Sequence, residues 1–431
     1  MKVSKILITT LVICMLLIFV GSIFAEAKAT WHEKLEKKIE NKDEAFKGDP
    51  LTPADFPSKL LPGISQPWVV PKRQYLIAFS NGDMSNFWRL KFVQDMEAWG
   101  NRYTERFGVR FVWANSGANS PKQVSDIESL IAMNPDLLIV STNEAEPLSV
   151  IYDMCEEMGV ALITVDRGIS RPLVGDDKDD CYILHLSMDF MSHGVIMGSG
   201  IVDYLTEKYG KPIGNVVEIA GQPGAQPGIQ RSIGLHLVLD KYPDIRIIAS
   251  RPGDWERDKA YGIMADWLQK YPAGEIDVVA SAYGEGSLGA LTAIREAGRN
   301  ELIGPHFSVD AILEYLEDIQ KGECQAVVEC PPYFGMLAFE YGIRYLNGEK
   351  IPDLVMMPLR TYMGEPASKR KILDEHVEML NRTGEAFPYM EWGGQGELDV
   401  DISEYYPKNW IDDPSLMDLP KFTTDPPIET Q

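Results

Sequence analysis

Basic residues are scarce in this 431-residue chain: 41 Lys plus Arg stand against 64 Asp plus Glu, a formal net charge of −23. A nucleic-acid partner would need a clustered basic footprint, and no Lys/Arg block stands out between the first lysines and the C-terminus. Cysteine is scarcer still, with 5 in all. Cys14 lies in an N-terminal apolar run; Cys155, Cys181, Cys324 and Cys330 form no C-x-x-C pair, which excludes a disulfide scaffold and the usual zinc and redox spacings. Cys324 and Cys330, six apart in an extended segment, would lie roughly 20 Å apart along a strand, too far to pair; a bridge between Cys155 and Cys181 is left open. All four read as small core or pocket residues. Gly221, Gly224 and Gly228 are spaced somewhat like a phosphate loop, but the Gly-Lys-Ser/Thr that such a loop needs is missing. Long apolar runs are missing too, apart from the one at the start of the chain.

That run, Ile6 to Phe24, follows Lys2 and Lys5 and precedes two A-x-A steps, Ala25-Glu26-Ala27 and Ala27-Lys28-Ala29. It reads as a cleaved export signal over residues 1–25, with cleavage between Ala25 and Ala29 and a periplasmic or extracellular destination. An uncleaved membrane anchor is the alternative, since the run is near the spanning minimum. Cys14 sits inside the run behind Ile13, where a lipid-anchor signal would need a small residue. The remaining composition, 45% hydrophobic and 10% aromatic, belongs to a folded globular protein, and the length allows two or three domain-sized units.

Residues 26–73 are first charged and then proline-rich, a lead-in without the apolar periodicity of a domain. From Gln74 the pattern changes. Apolar runs at Tyr75–Phe79, Val109–Ala114, Leu137–Val140 and Ala161–Val165 alternate with helical stretches near Asn86–Phe107, Pro121–Met133 and Leu148–Gly159. After a polar break at Ser170–Asp180 the rhythm restarts, with strand-like runs at Tyr182–Leu186, Val216–Ile219, Ile245–Ala249, Val278–Ala280 and Leu302–Gly304 separated by helical stretches. Short buried strands alternating with longer helices predict an α/β chain of two doubly wound, Rossmann-like lobes in series. Beyond Tyr362 the character shifts again: residues 365–431 hold 15 acidic and 6 basic residues, together with Phe387, Tyr389, Trp392, Tyr405, Tyr406 and Trp410. So many rings predict a segment that packs over the lobes rather than a solvated tail.

Two α/β lobes in series have their natural ligand site in the cleft between them, at the carboxyl ends of the strands. The residues predicted there are Ser85-Asn86-Phe87-Trp88-Arg89 after the first strand and Thr164-Val165-Asp166-Arg167 at the end of the fourth; Asn143-Glu144-Ala145-Glu146-Pro147-Leu148 follows the third. From the second lobe come Ala225 to Gly234, Trp255, and Tyr283 to Ala290. In this order and register they resemble the type I periplasmic binding proteins, in particular the ribose- and galactofuranose-binding cluster of sugar ABC importers. The four strongest correspondences are to the S-N-P-F-W or N-x-W-R opening, L-D-R, A-x-x-x-I-D-R-x-x-G and N-D-x-x-A-L-G-A patterns of that family, and the likeness covers about residues 74–362.

The resemblance implies a multi-strand hinge, with residues 74–187 and 331–350 in the first lobe, 188–330 and 351–363 in the second, and 364–431 as an extension. It also implies a site made of Asn86, Trp88, Arg89, Glu144, Asp166, Arg167, Phe190, Gln226, Arg231, Trp255, Tyr283, His306 and Glu329. Trp88 and Trp255 would stack on the apolar face of a sugar, while Asp166, Arg167 and Arg89 would bind two hydroxyls at once. Phe190 stands where ribose-type members have an asparagine, Ile229 where they have an arginine, His306 where they have an aspartate, and Cys330, beside Glu329, where they have a glutamine. Losing several hydroxyl partners argues against ribose itself.

No cofactor and no metal are expected. His185, Asp189 and His193 have a metal-like spacing only if all are helical, and the run Asp176–Asp180 lacks the ligand spacing and closing glutamate of a calcium loop. The function expected is a non-enzymatic, monomeric receptor that delivers a sugar to a membrane ABC permease. A receptor for a sensor kinase or chemoreceptor is the first alternative, and a secreted carbohydrate-active enzyme, with Asp166, Glu144 and Glu329 as its candidate carboxylates, is the second.

Overall fold

The computed structural model describes residues 69–169, 182–351, 354–357 and 359–388. The export signal, the run Asp176–Asp180, Cys181 and the aromatic segment from Tyr389 onward lie outside the described residues.

The first lobe begins with β1 (Leu76–Asn81), α1 (Phe87–Phe107), β2 (Arg110–Asn115), α2 (Ser120–Ala132), β3 (Leu137–Ser141), α3 (Val150–Met158), β4 (Ala161–Val165) and β5 (Leu184–Met188). Strands β1, β3, β4 and β5 are buried at every residue, as continuous apolar runs must be when helices cover both faces of a parallel sheet. Local signals set the helix ends. The Asn86 side chain caps α1 by accepting from the Arg89 amide, and Gly108 ends it in the left-handed conformation. Asn119 caps α2 in the same way, ahead of Pro121 in its first turn.

The second lobe continues with α4 (Phe190–Tyr209), β6 (Gly214–Ala220), α5 (Gln226–Leu239), β7 (Ile245–Pro252), α6 (Arg257–Lys270), β8 (Val278–Ser281), α7 (Gly284–Glu296), β9 (His306–Val309), α8 (Leu313–Gln320) and β10 (Ala326–Val328). The chain closes with α9 (Gly335–Leu346), β11 (Leu354–Met357), β12 (Thr361–Met363) and α10 (Ala367–Thr383).

The two sheets have the same plan. One runs β11-β5-β4-β3-β1-β2 and the other β12-β10-β9-β8-β6-β7. The order reverses beside β1 and again beside β6, which places a crevice at the carboxyl ends of both sheets. Both sheets are parallel except at β12, which runs antiparallel to β10. The chain crosses between lobes three times: from β5 into α4, from β10 into α9, and from β11 to β12. α4 packs on α5 in the second lobe, and α9 packs on α1 in the first.

Two expectations change. Residues 351–363 do not all belong to the second lobe, because β11 pairs with β5 in the first sheet and only β12 joins the second. Leu302–Gly304 is not a strand: a short 3₁₀ turn spans Asn300–Leu302, and the strand begins at His306, after Pro305. Proline has no amide to give to a ladder, so the apolar pair Leu302-Ile303 is left in the turn.

Candidate functional site

A cavity opens where the strand ends of the two lobes face each other. Asn86, Trp88, Arg89, Asp166 and Arg167 line it from the first lobe, and Pro227, Arg231, Trp255, Tyr283, Glu285, Asp310 and Ile312 from the second. Cys330, at the second crossing, and Phe387, after α10, complete the lining. Its volume is about 40 Å³, against the roughly 10–15 Å³ that one water needs.

The first-lobe side is a buried charge cluster. Asp166, directly after β4, takes a left-handed backbone with φ +61, which aspartate tolerates better than most residues. Its Oδ2 lies 2.9 Å from Arg89 Nη2 and 3.9 Å from Arg167 Nε. Arg89 Nη1 donates to Ser141 Oγ at 2.8 Å and Arg167 Nη1 to Asn143 O at 2.9 Å. Both guanidinium groups are buried, and Arg167 Nε has no hydrogen-bond acceptor among the described residues. Arg89 Nη2 touches Asp166 but off the hydrogen-bond direction, so it too is left over. Burial, with Arg89's charge beside it, pulls the Arg167 pKa down to about 9. A buried donor without a partner is costly unless a ligand satisfies it. Trp88 stacks on Phe92 with ring centroids 5.6 Å apart and donates its Nε1–H to Cys330 O at 2.6 Å.

The second-lobe side is tied down by its own bonds. Arg231 donates to Ala282 O at 2.7 Å, to His193 Nδ1 at 3.2 Å and to Asp310 Oδ1 at 3.2 Å. Burial and the Arg231 charge together hold His193 well below the usual imidazole range, which keeps that ring neutral. The Tyr283 hydroxyl shares its one proton between Gly253 O and Glu256 O, at 2.9 and 3.0 Å, and burial holds its pKa well above the phenol range. Trp255 packs edge-on against Tyr283 at 5.4 Å and donates to Gln222 Oε1 at 3.1 Å. Its φ of +67 is a strained conformation for a bulky side chain. Gly221 makes room for it: a Cβ there would come 2.2 Å from the Trp255 ring.

The lobes also touch directly. Gly168 N donates to Gln226 Oε1 at 2.6 Å, Ala145 N to Gly224 O at 3.1 Å, and Gln222 Nε2 to Asn143 Oδ1 at 3.3 Å.

Eight of the thirteen expected residues therefore meet in one cavity: Asn86, Trp88, Arg89, Asp166, Arg167, Arg231, Trp255 and Tyr283. The other five do not line it. Glu144 stays at the rim, accepting from Ser120 Oγ at 2.6 Å. Gln226 is used by the inter-lobe bond to Gly168. Phe190 is buried beneath Arg231, whose guanidinium carbon lies 5.4 Å from its ring. His306 opens β9 at its amino end, away from the cleft, where burial depresses its pKa to about 3 and Nε2 bonds Leu302 O. Asp310, at the carboxyl end of the same strand and at φ +68, supplies the cleft carboxylate instead. Glu329 faces the opposite side from Cys330 and accepts from the Tyr362 hydroxyl at 3.2 Å.

Asp310 was within reach of sequence reasoning, because it directly follows the alternating run His306-Phe307-Ser308-Val309 behind a proline. Phe387 was not, since nothing local ties it to a cleft built hundreds of residues earlier. Of the alternative metal ligands, His185 bonds Thr164 Oγ1, Asp189 caps α4 and His193 meets Arg231.

The chain belongs to the family described as periplasmic binding protein domain, whose profile matches residues 77–350. The ribose import binding protein of Bacillus subtilis is 25% identical over 294 residues, covering 67% of this chain and 87% of that protein. The galactofuranose-binding protein of Escherichia coli is 25% identical over 272 residues, covering 62% and 81%. Among solved structures, a Mycobacterium smegmatis protein in complex with β-D-fucofuranose aligns with a TM-score of 0.63 at 23% identity, covering 73% of this chain and all of that one. The fructose-binding periplasmic domain of a hybrid two-component system aligns with a TM-score of 0.60 at 25% identity, covering 72% and 97%. The fold is that of the type I periplasmic binding proteins. No helix among the described residues is long and apolar enough to cross a membrane.

Proposed function

We propose that this protein is an exported receptor that closes its two lobes on one sugar or sugar-like molecule and hands it to an ABC importer. The observation that carries this reading is the composition of one small cavity. Trp88 and Trp255 enter it from opposite lobes, beside Asp166 and two buried arginines with N–H groups to spare. Rings suit the C–H faces of a sugar, and a charged fork suits its vicinal hydroxyls. A ligand that touches both lobes favours the closed state by its differential contacts, which is how binding becomes a signal to a membrane partner. The ligand-contacting set we assign is the eight expected residues that line the cavity, with Asp310 in place of His306. The relatives named for ribose and galactofuranose support a monosaccharide-sized ligand.

The cleft aspartates each sit against an arginine, Asp166 against Arg89 and Asp310 against Arg231, an arrangement suited to holding hydroxyls. We therefore read the protein as a binder and not an enzyme. The likeness to a two-component periplasmic domain keeps one second reading, delivery of the signal to a sensor kinase.

The test is mass spectrometry of the molecule released from freshly purified protein, followed by thermal shift with pentoses, hexoses, polyols and sugar acids. A stabilising sugar that is recovered unchanged is the expected result. Turnover of an oligosaccharide would overturn the receptor reading, and co-purification with a kinase rather than a permease would select the second one.

A further inference from the structure

The profile match ends at residue 350, yet one wall of the cavity comes from well beyond it. α10 is fastened to the second lobe: Gln320 Nε2 donates to Asp374 at 2.6 Å, Arg370 donates to Gln320 O at 3.1 Å, and Leu373, Val377 and Leu380 are buried. After Gly384 the chain runs along the edge of that lobe and meets the first. Ala386 O accepts from the Leu313 amide at 2.8 Å, satisfying a first-turn donor of α8. Glu385 pairs with Lys91 of α1 at 2.5 Å. The Tyr333 hydroxyl, beside the second crossing, donates to Phe387 O at 3.1 Å. The Phe387 ring is 1% exposed, stacks on Phe87 with centroids 6.2 Å apart, and lines the same cavity as Trp88 and Asp166. Phe87 itself is 47% exposed at the start of α1.

We propose that residues 385–387 form a strap between the lobes that delivers Phe387 to the cleft as a ligand-facing wall and specificity residue. The strap is anchored to α8 of the second lobe by the Leu313–Ala386 bond and to α1 of the first by the Lys91–Glu385 pair. An aromatic wall placed there gives a second apolar face to a ligand already met by Trp88. The assignment rests on the cleft being the ligand site.

The test uses the full chain. Wild type, Phe387→Ala and Phe387→Tyr are screened by thermal shift against D-ribose, L-arabinose, D-galactose, D-fructose, xylitol and myo-inositol, and the tightest binder is taken to calorimetry and stopped-flow dissociation. Phe387→Ala is expected to weaken that sugar about tenfold or more, the equivalent of ~1.4 kcal/mol, mostly through faster dissociation, with Phe387→Tyr restoring it. Affinity and dissociation unchanged in Phe387→Ala overturn the proposal. Hydrogen exchange of the α1 amino end, read without sugar, is expected to accelerate in Phe387→Ala, and unchanged protection there also overturns it. If no sugar binds wild type, the sugar reading fails, while the exchange result still decides whether the strap covers the cleft. If Phe387→Ala does not fold, Phe387→Leu, which keeps the apolar bulk and loses the ring, replaces it in every arm.

Discussion

In the first lobe, Arg89 and Arg167 crowd around a single carboxylate, Asp166, and keep buried N–H groups without acceptors. In the second, Arg231 and Tyr283 point into the same cavity, but their polar atoms are bound to Ala282 O, Asp310, Gly253 O and Glu256 O. The two lobes share one strand order, so this contrast does not come from topology. It comes from the residue types placed at the carboxyl end of each strand. The first lobe holds two buried guanidinium groups beside one carboxylate; the second provides an aromatic surface whose cost is local backbone strain at Trp255. On the proposed reading, polar recognition falls to one side of the cleft and shape to the other.

The contrast breaks most visibly at Asp166. Asp166→Ala leaves two arginines buried without their counter-charge, an arrangement that costs about 3–5 kcal/mol. We expect a correspondingly lower urea midpoint and no detectable sugar binding by calorimetry.

A second buried carboxylate in the first lobe, Asp95, accepts from Gly335 N at 2.6 Å and has no such arginine clamp. Burial pushes its pKa from 3.8 up to about 7, against the pull of the Gly335 amide and of Lys91. Because the folded state holds this proton more tightly than the unfolded chain, the stability Asp95 contributes is present below about pH 4 and is lost as pH rises towards 7. Asp95→Asn should therefore gain stability relative to wild type across that window, on the order of 2–4 kcal/mol at about 1.4 kcal/mol per unit. Urea titrations at pH 5, 6.5 and 8 would read it; a constant difference between the two proteins would refute the assignment.

Arg167→Lys keeps the charge but removes the fork and its unbonded Nε–H. A hydrogen bond to a charged group is worth roughly 1.5–3 kcal/mol, so affinity should fall about ten- to a hundredfold with folding little changed. Tyr283→Phe sharpens the comparison from the other lobe: its hydroxyl serves two backbone carbonyls, so about 1 kcal/mol of stability should go while ligand affinity stays within about twofold. A large affinity loss there would mean that the second lobe, too, presents its polar groups to the ligand.

Much of this was legible from sequence because strand ends are local. Trp88, Asp166, Arg167 and Trp255 each stand shortly after an apolar run, and in a doubly wound sheet that position alone points into the crevice. The failures have physical causes of their own. At Glu329 and Cys330, adjacent residues take opposite faces of an extended chain, so a shift of one position exchanges wall for back. At His306 and Asp310 the error is one of strand ends: Pro305 delays the start of β9 and moves the cleft residue four positions on.

Hydrophobic periodicity and turn chemistry act over a few residues, so the α/β alternation, the two lobes in series and the aromatic and charged character of the loops could be read along the chain. Long-range packing settles that β11 crosses back to the first sheet, that Gln226 joins the lobes rather than lining the cavity, and that Phe387 lines it. Each of these depends on contacts between segments far apart in the chain, made where the packing of complete lobes brings their surfaces together, and no local pattern encodes them.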